Sequence, residues 1–277
     1  MTKDEQLFEA VGFTWDRATV PKRLPPPDIK RAVWRLQRSL AEYVYDAGQL
    51  EGNPFTYPQV QTLLDGVTVG GHKLSDQEQI LNLAASTKAL IDLVKLGEFK
   101  ADRETFCILN GMVARDEALE AGHFRGEGEN TSTTPKVFLG EHGHYTPAPT
   151  TPGAANLIDI WNLGSAALQE TLQGNSLEHG GALFLFGALQ QFFFDGNKRT
   201  SRLMMNGILM SAGVDAISVP AARKQEFNEL MVDFYRFNNA TQMMAFLASC
   251  HPEAELIQKL NVQAQPAPVR RPIGPKP

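Results

Sequence analysis

The stretch Gln191-Phe192-Phe193-Phe194-Asp195-Gly196-Asn197-Lys198-Arg199-Thr200-Ser201-Arg202 is a polar loop caught between two apolar runs. Upstream, Ala182-Leu183-Phe184-Leu185-Phe186-Gly187-Ala188-Leu189 is apolar all round, the texture of a buried helix. Downstream, Leu203, Met204, Ile208 and Met210 continue a second apolar helix that is expected to stop at Gly213. Between them Asp195-Gly196-Asn197 is turn chemistry, because Gly and Asn tolerate positive φ. The second helix therefore begins near Lys198.

That start crowds Lys198, Arg199 and Arg202 into one helical turn. A helix N-terminus already carries partial positive charge and free N–H groups, so cations there are misplaced unless an anion joins them. Arg199 and Arg202 are three apart and share a face. Two guanidinium forks beside a glycine-bearing loop suit a polyphosphate, with Asp195 as the carboxylate for a divalent metal bridging phosphates. A solvated helix start whose arginines pair with surface acids explains the same residues.

Phe193, Asp195, Gly196, Asn197, Lys198, Arg199 and Arg202 resemble, in register, the signature of the Fic family, His-x-Phe-x-(Asp or Glu)-Gly-Asn-(Gly or Lys)-Arg-x-x-Arg. The resemblance implies an all-helical Fic fold with a small β-hairpin, the flap. It further implies ATP and Mg²⁺ at the loop and AMP transfer to a Ser, Thr or Tyr hydroxyl of a protein target. Phe193, Gly196, Asn197, Lys198, Arg199 and Arg202 would contact nucleotide, and Asp195 would take metal. One position departs: Gln191 stands where the family has its histidine, the general base. A glutamine amide has no accessible pKa for proton removal, and losing a general base costs about 10²–10⁴ in rate. Weak or absent turnover is therefore expected, with a non-catalytic nucleotide- or protein-binding regulator as the alternative. A Fic-related toxin family with Asn-Lys-Arg acts as a kinase on a translation factor, but it too uses the histidine. None of the histidines 72, 123, 142, 144, 179 and 251 lies in the loop.

A second match is Glu51-Gly52-Asn53, which resembles the inhibitory motif (Ser or Thr)-x-x-x-Glu-(Gly or Asn) of Fic proteins that carry it on a helix N-terminal to the core. By that resemblance Glu51 pairs with Arg202 and blocks productive docking of the γ-phosphate. Ala47 stands where Ser or Thr is expected, so the clamp lacks its hydroxyl.

The remainder is scaffold by texture. A stiff Leu24-Pro25-Pro26-Pro27 arm leads to Asp28, a helix cap, followed by Val33, Leu36, Leu40 and Val44 at helical spacing with Arg31, Arg35, Arg38 and Glu42 facing outward. Ser75 and Glu78 read as a capping box. Phe106, Ile108, Leu109 and Met112, then Ile158, Leu163, Ala166 and Leu168, are expected to line further buried stripes. Lys136-Val137-Phe138-Leu139 is the convincing strand, and Ala121-Gly122-His123-Phe124-Arg125 resembles the start of the flap, whose free edge would dock a target segment by strand addition. His142 and His144 follow that strand, where they could approach the loop. The stripe from Phe227 to Phe246 reads as core, with part of Phe234 to Asn239 beside the adenine in relatives.

These readings divide the chain into an arm and inhibitory helix over 1–50, a Fic core over 51–250 with the flap near 121–149, and a disordered tail over 262–277. A formal net charge of −5 argues against a general nucleic-acid binder, and no run is apolar enough to span a membrane. Two cysteines imply no disulfide framework, so a reducing cytoplasm is expected. Homo-oligomer formation is left open.

Overall fold

In the computed structural model, which describes residues 1–262, the helix expected over 182–189 extends across Ser176–Gln190, and Leu177 to Leu189 are buried without interruption. The helix after the loop spans Asn197–Ser211 and ends, as expected, before Gly213 at φ 73°. The two pack so closely that a Cβ at Gly187 would sit 2.1 Å from Ser201 Oγ and 3.1 Å from its Cβ, so any larger residue would force Ser201 to shift. Around this pair the described residues form twelve α-helices and one two-stranded antiparallel sheet. The helices are α1 (Lys3–Val11), α2 (Ile29–Arg38), α3 (Leu40–Leu50), α4 (Tyr57–Leu64), α5 (Leu74–Leu96), α6 (Arg103–Val113), α7 (Ala155–Leu172), α8 (Ser176–Gln190), α9 (Asn197–Ser211), α10 (Lys224–Phe237), α11 (Thr241–Ser249) and α12 (Ala254–Val262). The strands are β1 (Val137–Phe138) and β2 (His144–Tyr145), with Val137 opposite Tyr145 and Phe138 opposite His144.

One core holds most of this together. Leu7, Phe13 and Leu36 from the first fifty residues share it with α8, α9 and α10. A smaller apolar cluster joins α3, α4 and α5 through Val44, Ala47, Phe55, Val60 and Ile80. Ala47 is buried there, so a hydroxyl at that position would enter an apolar contact rather than water. What holds α3 instead is buried Asp46, which accepts from Ser218 Oγ (2.9 Å) and the Ala221 N–H (2.8 Å).

Several local expectations are corrected. The continuous helix expected from Val33 to Val44 breaks at Ser39, whose hydroxyl donates back to the Arg35 carbonyl, a bond that bends helices. Arg35 is not merely solvated; it pairs with buried Asp215. The Ser75–Glu78 capping box does not form, because α5 starts at Leu74 with Lys73 as its cap. A capping box does occur at Thr2 and Glu5, starting an unanticipated α1. Ile108 and Leu163, expected inside, are exposed, while Trp161 and Leu168 carry the buried face of α7. The four-residue strand shrinks to Val137–Phe138, since Leu139 turns inward to the core and Lys136 precedes the pairing. Ala121 to Arg125 is not hairpin; Phe124 and Arg125 are buried under the loop. The expected disordered tail lies outside the described residues from 263 onward.

Candidate active site

The loop between α8 and α9 is built to hold its own shape. α8 ends at Gln191, which adopts the left-handed conformation at φ 49°, ψ 58° and turns the chain sharply. Asn197 closes the turn: its Oδ1 accepts from the Phe193 N–H (2.9 Å), and its Nδ2 donates to the Phe193 carbonyl (2.8 Å) and to Gln191 Oε1 (3.1 Å). Gly196 supplies the positive φ of 77° that begins α9, whereas Asn197 is already helical. Asn110 of α6, fully buried, donates to the Asp195 carbonyl (3.0 Å) and pins the turn from outside. Phe192 and Phe193 sink into an aromatic cluster with Phe106, Phe124 and Trp161.

Gln191 is spent on this architecture. Its Nε2 donates to the Ala188 carbonyl (2.6 Å) and to Tyr235 Oη (3.4 Å), and its Oε1 is taken by Asn197. Both amide hydrogens and the carbonyl oxygen thus have partners inside the protein.

The cations fall on α9 as expected, and each has an acid. Arg202 Nη2 meets Glu51 Oε1 at 3.2 Å, and Lys198 Nζ meets Glu51 Oε2 at 3.3 Å. Glu51 caps the C-terminal end of α3, where a carboxylate opposes the helix dipole. Lys198 and the arginines are equally misplaced at the N-terminus of α9, and the meeting of the two helix ends cancels both misplacements. Burial alone would raise the Glu51 pKa, but Lys198, Arg202 and Arg199 outweigh it and hold the carboxyl at about 2. Arg199, with its side chain 4% exposed, is held through Nη1 by both oxygens of Glu117 at 2.9 and 2.8 Å and through Nη2 by Asp195 at 3.5 Å. Arg202 Nη1 is buried and finds no partner among the described residues.

Above these groups lies a cavity of about 320 Å³ whose walls include Glu51, Lys136, Val137, Gln191, Lys198, Arg199 and Tyr235. The hairpin therefore forms one wall of the site, through Lys136 and Val137. Phe138 is 70% exposed and points away with His144. Neither His142 nor His144 lines the cavity. Tyr235, from the segment considered for the base, is the member of it that does. Asp195 stands at the mouth, with Oδ1 accepting from the Gly196 N–H at 2.5 Å.

Three residues escaped the sequence reading. Glu117 lies 82 positions from Arg199. Arg125, fully buried, donates through Nε to the Gln191 carbonyl (2.5 Å), through Nη1 to Thr150 Oγ1 (2.8 Å), and through Nη2 to the carbonyls of Ala148 (2.6 Å) and Gln190 (3.3 Å). Burial lowers its pKa to about 10, which still leaves it charged at neutral pH. Asn110 went unread as well, although an amide interrupting an apolar helical stripe is a signal that could have found it.

No protein-family model matches the chain. Curated relatives do. A protein of Aedes aegypti named protein adenylyltransferase Fic is 24% identical over 228 residues, covering 80% of this chain and 42% of that protein. One of the same name from Nematostella vectensis is 23% identical over 233 residues, covering 82% and 50%. The chain thus spans half or less of the length of these relatives. Among solved structures, a C. elegans Fic-1 fragment superposes with a TM-score of 0.64 at 18% identity, covering 92% of this chain and 71% of that one. A Fic-domain-containing signalling protein from Bacteroides thetaiotaomicron gives 0.65 at 19%, covering 95% and 98%. At such identities the structural likeness establishes the fold.

Proposed function

As the chain belongs to the Fic family, we propose that it is a nucleotidyl-transfer domain of the protein-adenylyltransferase type, held back by Glu51 and impaired by Gln191. The observation that carries this reading is the first turn of α9. Lys198, Arg199 and Arg202 converge there beside backbone N–H groups that no side chain caps, and a buried guanidinium nitrogen of Arg202 lacks a partner among the described residues. A polyphosphate would satisfy that nitrogen and exchange with the carboxylates now on the arginines. Mg²⁺ takes one or two carboxylates alongside phosphate oxygens and water, which Asp195 at the cavity mouth fits. When bound, the ion supplies charge neutralisation at the phosphates.

In the proposed transfer, a Ser, Thr or Tyr hydroxyl of a protein target forms a bond to the α-phosphorus of ATP as the bond to the bridging oxygen breaks and pyrophosphate leaves. The hydroxyl proton passes to solvent water. Gln191 cannot take it, and its amide is already committed to Ala188, Tyr235 and Asn197. The hairpin beside the cavity, exposing Phe138, is the proposed docking edge for the target. Arg125 ties the loop to the segment that follows the hairpin and so positions both.

That same saturation of Gln191 favours a second reading, a Fic domain that binds nucleotide or a protein partner and regulates without turnover. Transfer of labelled AMP from ATP to lysate proteins separates the two, using the unaltered chain, Gln191→His, Glu51→Gly and the double change. The first reading expects faint labelling by Glu51→Gly and strong labelling by the double change, abolished by Arg199→Ala. If only the forms carrying Gln191→His label and Glu51→Gly alone binds ATP but labels nothing, the second reading holds.

A further inference from the structure

Arg199 is the cation that should meet phosphate, yet in the folded chain Glu117 has it. The geometry points to Glu117 as a second intramolecular competitor for the anion site, coupled to the Glu51 clamp through Gln79 and Asn53. This inference rests on the nucleotide reading of the loop and adds the regulation of that site.

Charge comes first. Lys198, Arg199 and Arg202 are matched by Glu51, Glu117 and Asp195, all joined by ion pairs within 3.5 Å. Three positive groups against three negative ones leave no net attraction for a polyphosphate. Displacing Glu51 restores one charge, and Arg202 with it. Arg199 stays engaged, because Glu117 places both oxygens on its Nη1 in a pocket where the guanidinium is 4% exposed. A charge so buried is costly unpaired, so phosphate can enter only by exchange with Glu117.

Glu117 is free of any helix. It lies in the turn beyond α6, directly after Asp116 at φ 61°, where its N–H donates to the Ala114 carbonyl at 3.1 Å. Its second hold is Gln79 of α5, whose Nε2 donates to Glu117 Oε2 at 3.1 Å. Gln79 Oε1 in turn accepts from Asn53 Nδ2 at 3.0 Å, and Asn53 belongs to the same turn as Glu51. The Glu51-Gly52-Asn53 turn therefore reaches Arg202 directly and Arg199 through Asn53, Gln79 and Glu117. When that turn moves away, Glu117 loses the support of Gln79's anchor, so release of one arginine loosens the other.

The test is a calorimetric titration with ATP and Mg²⁺, and separately with inorganic tripolyphosphate, of the full chain and its Glu51→Gly, Glu117→Gln, doubly changed and Gln79→Leu forms. Asp65→Asn, the same charge change at an exposed site, controls for overall charge. In the Glu51→Gly background, Glu117→Gln is expected to tighten binding about tenfold, and Gln79→Leu alone about threefold although it touches neither arginine. The double carboxylate change should gain less than the product of the single gains, and the full product once Gln79 is also replaced. If Glu117→Gln unfolds the chain, Glu117→Asp, which draws the carboxylate back from Arg199, is judged by the same criterion. Should Glu51→Gly bind nucleotide while Glu117→Gln adds nothing, or no more than Asp65→Asn, Glu117 is a structural ion pair and the inference falls while the nucleotide reading stands. Failure of every form to bind either anion overturns both.

Discussion

The loop from Gln191 to Arg202 and the hairpin from Val137 to Tyr145 face one cavity but are made differently. In the loop Phe192 and Phe193 are buried, the amides of Gln191 and Asn197 are fully committed, and every cation is paired. In the hairpin two residues pair with two, and the largest apolar side chain, Phe138, faces solvent. The loop is held rigidly by the chain's own groups before any ligand arrives. An edge so short leaves most of its backbone without a strand partner. Rigidity and openness are thus assigned to separate segments, and Arg125 ties the loop to the stretch that follows the hairpin.

The sharpest way to break that contrast is Arg125→Leu, which strips a donor from three carbonyls and from Thr150. Leaving those buried acceptors unsatisfied should cost about 3–5 kcal/mol, read as a fall in the urea midpoint with an unchanged m-value. Glu51→Ala comes next, at about 3 kcal/mol near neutral pH, from a carboxyl held at about 2 against an ordinary 4.5. Because the folded-state pKa is depressed, that contribution is complete above about 4.5 and is lost as pH falls toward 2. Urea titrations of parent and variant should therefore differ at pH 7 and converge near pH 2. Asn197→Ala orphans the Phe193 amide and should cost about 2 kcal/mol. Phe138→Ser should leave stability within about 0.5 kcal/mol. Its effect should appear instead as lost labelling of protein targets by the Gln191→His, Glu51→Gly chain. A large stability loss from Phe138→Ser would erase the distinction between the two segments.

Local chemistry made part of this legible. The apolar run over 182–189, the glycine start and stop of α9, and the Asp28 cap each depend on neighbours a few residues away. Glu51 was found through its motif, and the 3.2 Å contact with Arg202 follows the pairing that motif suggested. Glu117 and Arg125 had no such signal. An acid after a helix and an arginine in a glycine-rich loop are ordinary surface residues until folding brings them, across 82 and 66 positions, onto Arg199 and Gln191. Ile108 and Leu163 were misread because an apolar residue adjoining a stripe fits its period loosely, while the packing of α6 and α7 admits only one phase. Ser75 failed because a side chain in the right spacing caps nothing if the cap position falls two residues earlier, at Lys73.

A crystal structure of Glu51→Gly grown with ATP and Mg²⁺ tests the central claim most directly. The account predicts phosphate oxygens within hydrogen-bond reach of both Arg199 and Arg202, with Glu117 turned away and the hairpin over the nucleotide. Nucleotide bound elsewhere, with the Arg199–Glu117 pair intact, would contradict it.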